Sequence, residues 1–325
     1  MSTAIHTSTG PGATRAPIDF RQLGIITAVA VGVFVGFRYL PIGTNLSHMD
    51  FRVDAKNAIE FCDPLNPQFI PVIAARSPIT MALRTATPPT AGVEQQAVLV
   101  MSTTSGKAVA PEDLLVAHTR KLHLLIVDPT LTDYQHVHPE PGATKGEWAF
   151  AFTPRMPGTY RVFADFTPAA TGRGLYASVD AEIAGQGIAV ASAAETAVRH
   201  AAAARSVDHV VEADGFRYQL TPVSGPIRAG QPAELNFSIV RPTGGPVPLE
   251  PVMGAFAHLV AFDEARTGFA HLHPTQIDLT QPPDAVQPVL NFKITIPSAG
   301  RYVIWAQINL GGQERFVPFW FEVVG

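Results

Sequence analysis

The sequence predicts an all-β protein: two tandem immunoglobulin-like β-sandwich domains on one N-terminal transmembrane helix. Three observations predict it. Short apolar runs recur along most of the 325 residues, punctuated by turns rich in the 29 prolines and 26 glycines. The chain repeats itself at the scale of a whole domain. One uncharged apolar stretch stands near the N-terminus, isolated from everything that follows.

Composition bounds the rest. Apolar residues make up 46% of the chain, enough to bury two cores, while charged residues make up 15% with a net charge of -4. That balance provides no electrostatic footprint for nucleic acid. The single cysteine, Cys62, excludes an intramolecular disulfide. It stands well beyond the apolar stretch and lacks the small residues of a lipid-attachment site. His48 and Met49 precede it, so a minor copper site can be drawn there, but Cys62 reads first as a buried small apolar residue.

Taken in order, residues 1–22 form a Ser/Thr/Gly/Pro-rich tail expected to be disordered. Residues 23–40 are expected to be a transmembrane signal anchor. Leu23 to Phe37 is fifteen residues without a charge. Arg38 can snorkel and Tyr39 can sit in the interface, extending the span to Leu40. No small-x-small cleavage site follows, so the anchor is expected to stay uncleaved in the inner (cytoplasmic) membrane. It would be single-pass, with the remaining domains facing the periplasm or the extracellular side.

Residues 41–76 read as a Pro-rich stalk or irregular segment, because "FCDPLNPQFIPV" places three prolines where no helix survives. Residues 77–186 carry the runs "ITMAL", "AVLVM", "LHLLIV", "WAFAF" and "YRVFADF", read as strands of a first sandwich. Residues 187–206 are Ala-rich and read as a linker or short helix. Residues 207–325 resume strand patterns to the end of the sequence and form the second sandwich.

The repeat is explicit. "LHLLIVDPTLTDYQHVHPE" (122–140) aligns with "AHLVAFDEARTGFAHLHPT" (257–275) at an offset of 135 without a gap. His123 matches His258, His136 matches His271, and His138 matches His273. Asp128 matches Asp263. Upstream, His118 matches Met253. "PGTYRVFAD" (157–165) then aligns with "AGRYVIWAQ" (299–307) at an offset of 142, so the second copy has a longer connection.

Seven of the eleven histidines belong to this pattern or precede it. Alternate strand residues share a face, so His136 and His138 point the same way. If the hairpin folds with Val127 opposite Tyr134, then His123 lies opposite His138, about 5 Å away. A slip of one residue would turn His123 to the other face. In that register His123, His136 and His138 gather at one site, and His258, His271 and His273 at another. Three neutral imidazoles suit a copper ion, with zinc the alternative. His118 and Met253 are candidate fourth ligands, and a thioether at one site would favour Cu(I) there. The competing reading is a structural or interaction module of the cell envelope, its histidines satisfied by backbone carbonyls. Asp128 and Asp263 are expected to cap the hairpin turns. The strands "HLLIV" and "HLVAF" are apolar on both faces, which permits the two histidine faces to meet at a domain interface.

No nucleophile elbow, P-loop, G-x-G-x-x-G or H-E-x-x-H is present, so no enzyme is expected. The strand–turn–His-x-His-Pro hairpin followed by a Pro-Gly-x-Tyr strand resembles exported bacterial β-sandwich domains of the YtkA-like, copper-handling cell-envelope kind, here in tandem duplicate. The resemblance implies a membrane-anchored or periplasmic protein and assigns no catalytic residue. The expected function is therefore metal buffering or delivery, with the membrane, a metal ion and an envelope protein as partners and no nucleic acid.

Overall fold

The computed structural model describes residues 20–39, 46–51, 67–185, 207 and 209–325. The tail up to residue 19, Cys62 and the Ala-rich linker lie outside the described residues. Helix α1 (Phe20–Tyr39) belongs to a unit of its own, separate from the body of the chain at 44–325. Among the described residues no helix is long and apolar enough to cross a membrane. This corrects the expected spanning anchor. Arg21, Gln22 and Arg38 lie inside the helix and leave only the fifteen residues Leu23 to Phe37 between them, against the roughly 20 a span needs.

The first repeat contains β1 (Ile79–Thr85), β2 (Gln95–Thr103), β3 (Leu114–Leu115), β4 (Leu122–Val127), β5 (Tyr134–Val137), β6 (Glu140–Pro141), β7 (Glu147–Phe152), β8 (Gly158–Pro168) and β9 (Leu175–Ile183). The second contains β10 (Val210–Ala213), β11 (Phe216–Pro222), β12 (Pro232–Val240), β13 (Leu249–Glu250), β14 (His258–Asp263), β15 (Phe269–Leu272), β16 (Val289–Thr295), β17 (Gly300–Leu310) and β18 (Gln313–Val323). They form four antiparallel sheets in two repeated units. One sheet of each unit runs β1-β2-β7-β6 or β10-β11-β12-β16. The other runs β3-β8-β4-β5 with β9 beside β8, or β13-β17-β14-β15 with β18 beside β17.

Each unit closes its two sheets over its own apolar core. Strand parity assigns the residues. On β4, Leu122, Leu124 and Ile126 enter the core of the first unit, while Leu125 and Val127 point the other way. On β14, Leu259 and Ala261 enter the second core, while Val260 and Phe262 point away. Those outward residues form a third apolar cluster between the units, with Tyr134, Phe163, Phe269, Val303 and Trp305. Phe163 packs at 5.3 Å from Phe269 and 6.0 Å from Phe262, ring centre to ring centre. The interface is thus a continuous apolar core joining two sandwiches.

Two described pieces of the expected stalk belong to the sandwiches instead. Leu46 and Phe51 are buried in the first core. Gln68 and Ile70 bridge to Thr295 and Phe269, adding a strap across the edges of β16 and β15. Gly268 permits the strap, because a Cβ there would collide with the Ile70 carbonyl. Prolines at 64, 67 and 71 exclude a helix but not an edge contact of this kind.

Candidate metal centre

The parity that builds the interface also delivers the histidines. His123 shares its face with Leu125 and Val127, and His258 shares its face with Val260 and Phe262. His136 follows Tyr134, and His271 follows Phe269, by two residues. Along each hairpin the interface face is apolar near the turn and histidine-bearing at the open end.

The hairpin register is the expected one. Val127 lies opposite Tyr134 and Leu124 opposite Val137. One step further brings His123 opposite His138, with His123 Nδ1 3.2 Å from His138 Nε2. In the second copy Leu259 lies opposite Leu272. His123, His136 and His138 form one group able to hold a metal, and His258, His271 and His273 form another. In each group the three ligand nitrogens lie within 4.8 Å of one another. Some point therefore lies within about 2.8 Å of all three, against about 2.0–2.1 Å for a metal–imidazole bond.

Hydrogen bonds fix which nitrogen is free on the first and middle histidines of each group. His123 Nε2 donates to the Ala117 carbonyl at 3.0 Å, and His258 Nε2 donates to the Val252 carbonyl at 3.0 Å. Carbonyls only accept, so the proton is on Nε2 and Nδ1 keeps its lone pair. Both carbonyls precede tight turns with two residues at positive φ: His118 (49°) and Thr119 (71°), then Met253 (49°) and Gly254 (78°). That is the backbone of a two-residue mirror-image turn, conserved across the duplication.

The middle histidines are oriented from the opposite repeat. His136 Nδ1 lies 2.8 Å from Gln307 Oε1, and His271 Nδ1 lies 3.1 Å from Asp165 Oδ2. Gln307 Nε2 donates to the Glu314 carboxylate at 2.9 Å, which fixes the amide with its oxygen toward His136. His136 therefore carries its proton on Nδ1, and Nε2 keeps a lone pair. Asp165 imposes the same state on His271 as a carboxylate.

The consequence is two lone pairs facing each other in each group. His123 Nδ1 and His136 Nε2 are 3.1 Å apart, and His258 Nδ1 and His271 Nε2 are 3.3 Å apart. No hydrogen stands between them in these tautomers. Two nitrogens bound to one tetrahedral ion at 2.0–2.1 Å would lie about 3.3 Å apart. His273 Nε2, at the same site, is buried without a hydrogen-bond partner.

The rings are neutral. Burial removes water from them and pulls every one below the ordinary histidine value. His138 falls to about 3 and His258 to about 4. His136, His271 and His273 all fall well below it. His118 and His123 are lowered by the same cause, opposed in part by the charge of Asp165. Neutral imidazole is the ligand form.

The two groups adjoin. The His136 and His271 ring centres are 5.3 Å apart, and those of His123 and His271 are 5.7 Å apart. The permitted meeting at the domain interface is realised. The placement of His118 differs from expectation. It was a candidate ligand for the group of its own repeat, but its ring stacks on His273 of the other, at 3.7 Å and 20°. Left-handed backbone at residue 118 turns the side chain across the interface. Met253 takes the matching place in the second turn and is partly buried.

Asp128 and Asp263 are turn residues. Asp128 accepts from the Thr132 and Asp133 amides, and Asp263 accepts from the Thr267 and Gly268 amides. Asp165 and Gln307 escaped the sequence reading. Their signal was present: they occupy one position of the alignment at offset 142, each a polar residue inside an apolar run, Val162–Phe166 and Val303–Ile308.

Residues 77–184 and 210–325 both match the family described as "Domain of unknown function (DUF8832)". Membership of the YtkA-like family is not shown. Among curated proteins, none matches the chain. Solved structures with slight likeness include a Corynebacterium diphtheriae protein described as membrane anchored. It has 9% identity and a TM-score of 0.21, covering 75% of this chain and 59% of that one. A DUF4785 family protein from Legionella pneumophila has 10% identity and a TM-score of 0.23, covering 76% and 55%. Salmonella alpha-2-macroglobulin has 12% identity and a TM-score of 0.23, covering 84% and 16%. The chain spans under two thirds of each of these structures, and scores this low carry no argument.

Proposed function

We propose that this chain, which belongs to the DUF8832 family, is a copper-binding protein of the cell envelope that buffers or delivers the metal. The observation that carries the reading is the pair of facing imidazole lone pairs in each repeat, 3.1 and 3.3 Å apart, with their tautomers set from outside the group. A structural histidine uses both ring nitrogens. Here His123, His136, His258 and His271 each commit one nitrogen outside the group and aim the other at a neighbouring ring.

Charge favours copper over zinc. A metal lies about 3 Å from the centre of a ligating ring. With His136 and His271 centred 5.3 Å apart, two ions would sit no more than about 12 Å from each other. Two unit charges at that distance repel by about 1.4 kcal/mol at an effective dielectric of 20, and two dications by about four times as much. Among the described residues, Asp165 is the one carboxylate bonded to a histidine of either group. Cuprous ions meet this limit best, and three imidazoles suit them.

Helix α1 supports attachment at a membrane. Ile25, Ile26, Val29, Val33 and Phe34 are all exposed on it, and an apolar surface of that extent needs covering. We place the sandwiches on the periplasmic or extracellular side, where an envelope protein would donate or accept the metal.

The test is metal stoichiometry on the full chain, with copper under reducing conditions and with zinc. Wild type should bind about two equivalents of copper. A variant carrying His136→Ala and His138→Ala should bind about one while keeping its β-sheet circular dichroism. A folded wild type that binds neither metal would leave the structural-module reading in its place.

A further inference from the structure

The two groups are duplicates in their ligands but not in what holds them. Asp165 and Gln307 are one position of the repeat, each beside the first histidine of its own unit: Asp165 lies opposite His123, and Gln307 lies opposite His258. Yet each bonds the middle histidine of the other unit. The exchange is reciprocal, so neither group has its middle ring oriented until the two units are docked.

The orienting groups differ in charge. A carboxylate on the far nitrogen of a ligating imidazole increases its basicity and offsets the charge of the ion; a carboxamide holds the ring without doing so. Gln307 is itself held by Glu314, whose charge reaches His136 only through the amide. Stacking sharpens the difference, since His118 covers His273 in the carboxylate-supported group.

We infer that the two sites load in a fixed order: the first ion enters the His258–His271–His273 site because Asp165 supports it from the other repeat, and the second enters the His123–His136–His138 site against the charge of the first. Asp165 and Gln307 are positioning residues that set this order. The inference rests on the metal-binding reading. It predicts two steps at least about tenfold apart in affinity, each assignable to one group.

The experiment is a titration of the full chain with cuprous ion against a chromophoric cuprous chelator. Wild type should give a tight and a weak step. His271→Ala should abolish the tight step and His136→Ala the weak one. Asp165→Asn keeps the shape and the hydrogen bond but removes the charge. It should weaken the tight step by about 10–100-fold, the usual effect of losing such a partner. Gln307→Glu combined with Glu314→Gln, which keeps a donor to residue 307 in place and avoids two facing carboxylates, should strengthen the weak step by about tenfold. A purely structural role would weaken binding in both variants, so opposite directions separate the two. Equal wild-type steps, or a tight step unmoved by Asp165→Asn, would overturn the order while leaving metal binding intact. No uptake by folded wild type would overturn the reading beneath it.

Discussion

His258 illustrates what a buried, half-committed imidazole does to the metal-free protein. Its Nε2 is satisfied by Val252, burial pulls its pKa to about 4, and it has no exposed surface. In the unfolded chain it returns to about 6.5. The folded state therefore binds fewer protons than the unfolded state below that value. The sign follows: the stability is fully present above pH 6.5 and is lost as pH falls from there toward 4. Across that window one such residue withdraws ~3 kcal/mol. His138, lowered to about 3, adds to the loss, as do His136 and His271. Asp165, raised by burial, works in the opposite direction as a single group. A domain has about 5–15 kcal/mol in total. Metal-free protein should thus unfold between pH 6 and 4 in an equilibrium urea series across pH. Replacing His258, His136 and His138 by Gln should flatten that dependence. A pH-independent midpoint from 7 to 4 would contradict the burial of these rings.

The hairpin shows which structural features the sequence carried and which it could not. Strand identity, the Val127–Tyr134 register and the gathering of each histidine trio were legible, because all three follow from period-two patterning about a turn. The duplication supplied the second site without new evidence. What was not legible belonged to contacts made across the interface: the swap of Asp165 and Gln307, and the crossing of His118. Those depend on how two finished sandwiches dock, and no local period encodes docking. The same element yields a prediction. Tyr160 donates to Asp133 Oδ2 at 2.6 Å and receives the Met156 amide, tying β8 to the hairpin turn. Asp133 is buried, and burial raises its pKa. Its counterpart Tyr302 donates only to the Ser298 carbonyl, because residue 268 is glycine. Tyr160→Phe should cost about 1.5–3 kcal/mol, and Tyr302→Phe about 1 kcal/mol or less. Urea unfolding of the two variants side by side measures the difference, and equal losses would mean the Asp133 contact contributes nothing.

At the scale of the molecule, the apolar cluster between the units decides whether this chain is two domains or one. Phe163 is fully buried yet absent from both sandwich cores; its neighbours Phe262 and Phe269 come from the other repeat. Arg161 and Arg266 add reciprocal hydrogen bonds, each donating to a carbonyl across the same boundary. Interfaces this apolar resemble a divided core rather than a transient contact. The wild-type body should therefore unfold in one calorimetric transition. Phe163→Ala removes a large ring from the joint while leaving both sandwich cores untouched, at a cost of about 3–5 kcal/mol. The single transition should then split into two, with strand content retained between them. The histidine groups would report the same event, because the middle ring of each is oriented from across the boundary. Copper affinity should fall at both sites together, although Phe163 is not among the residues that would hold the metal. A single undivided transition in the variant, or loss at only one site, would show that the sandwiches hold their own histidines and that the interface joins them without coupling them.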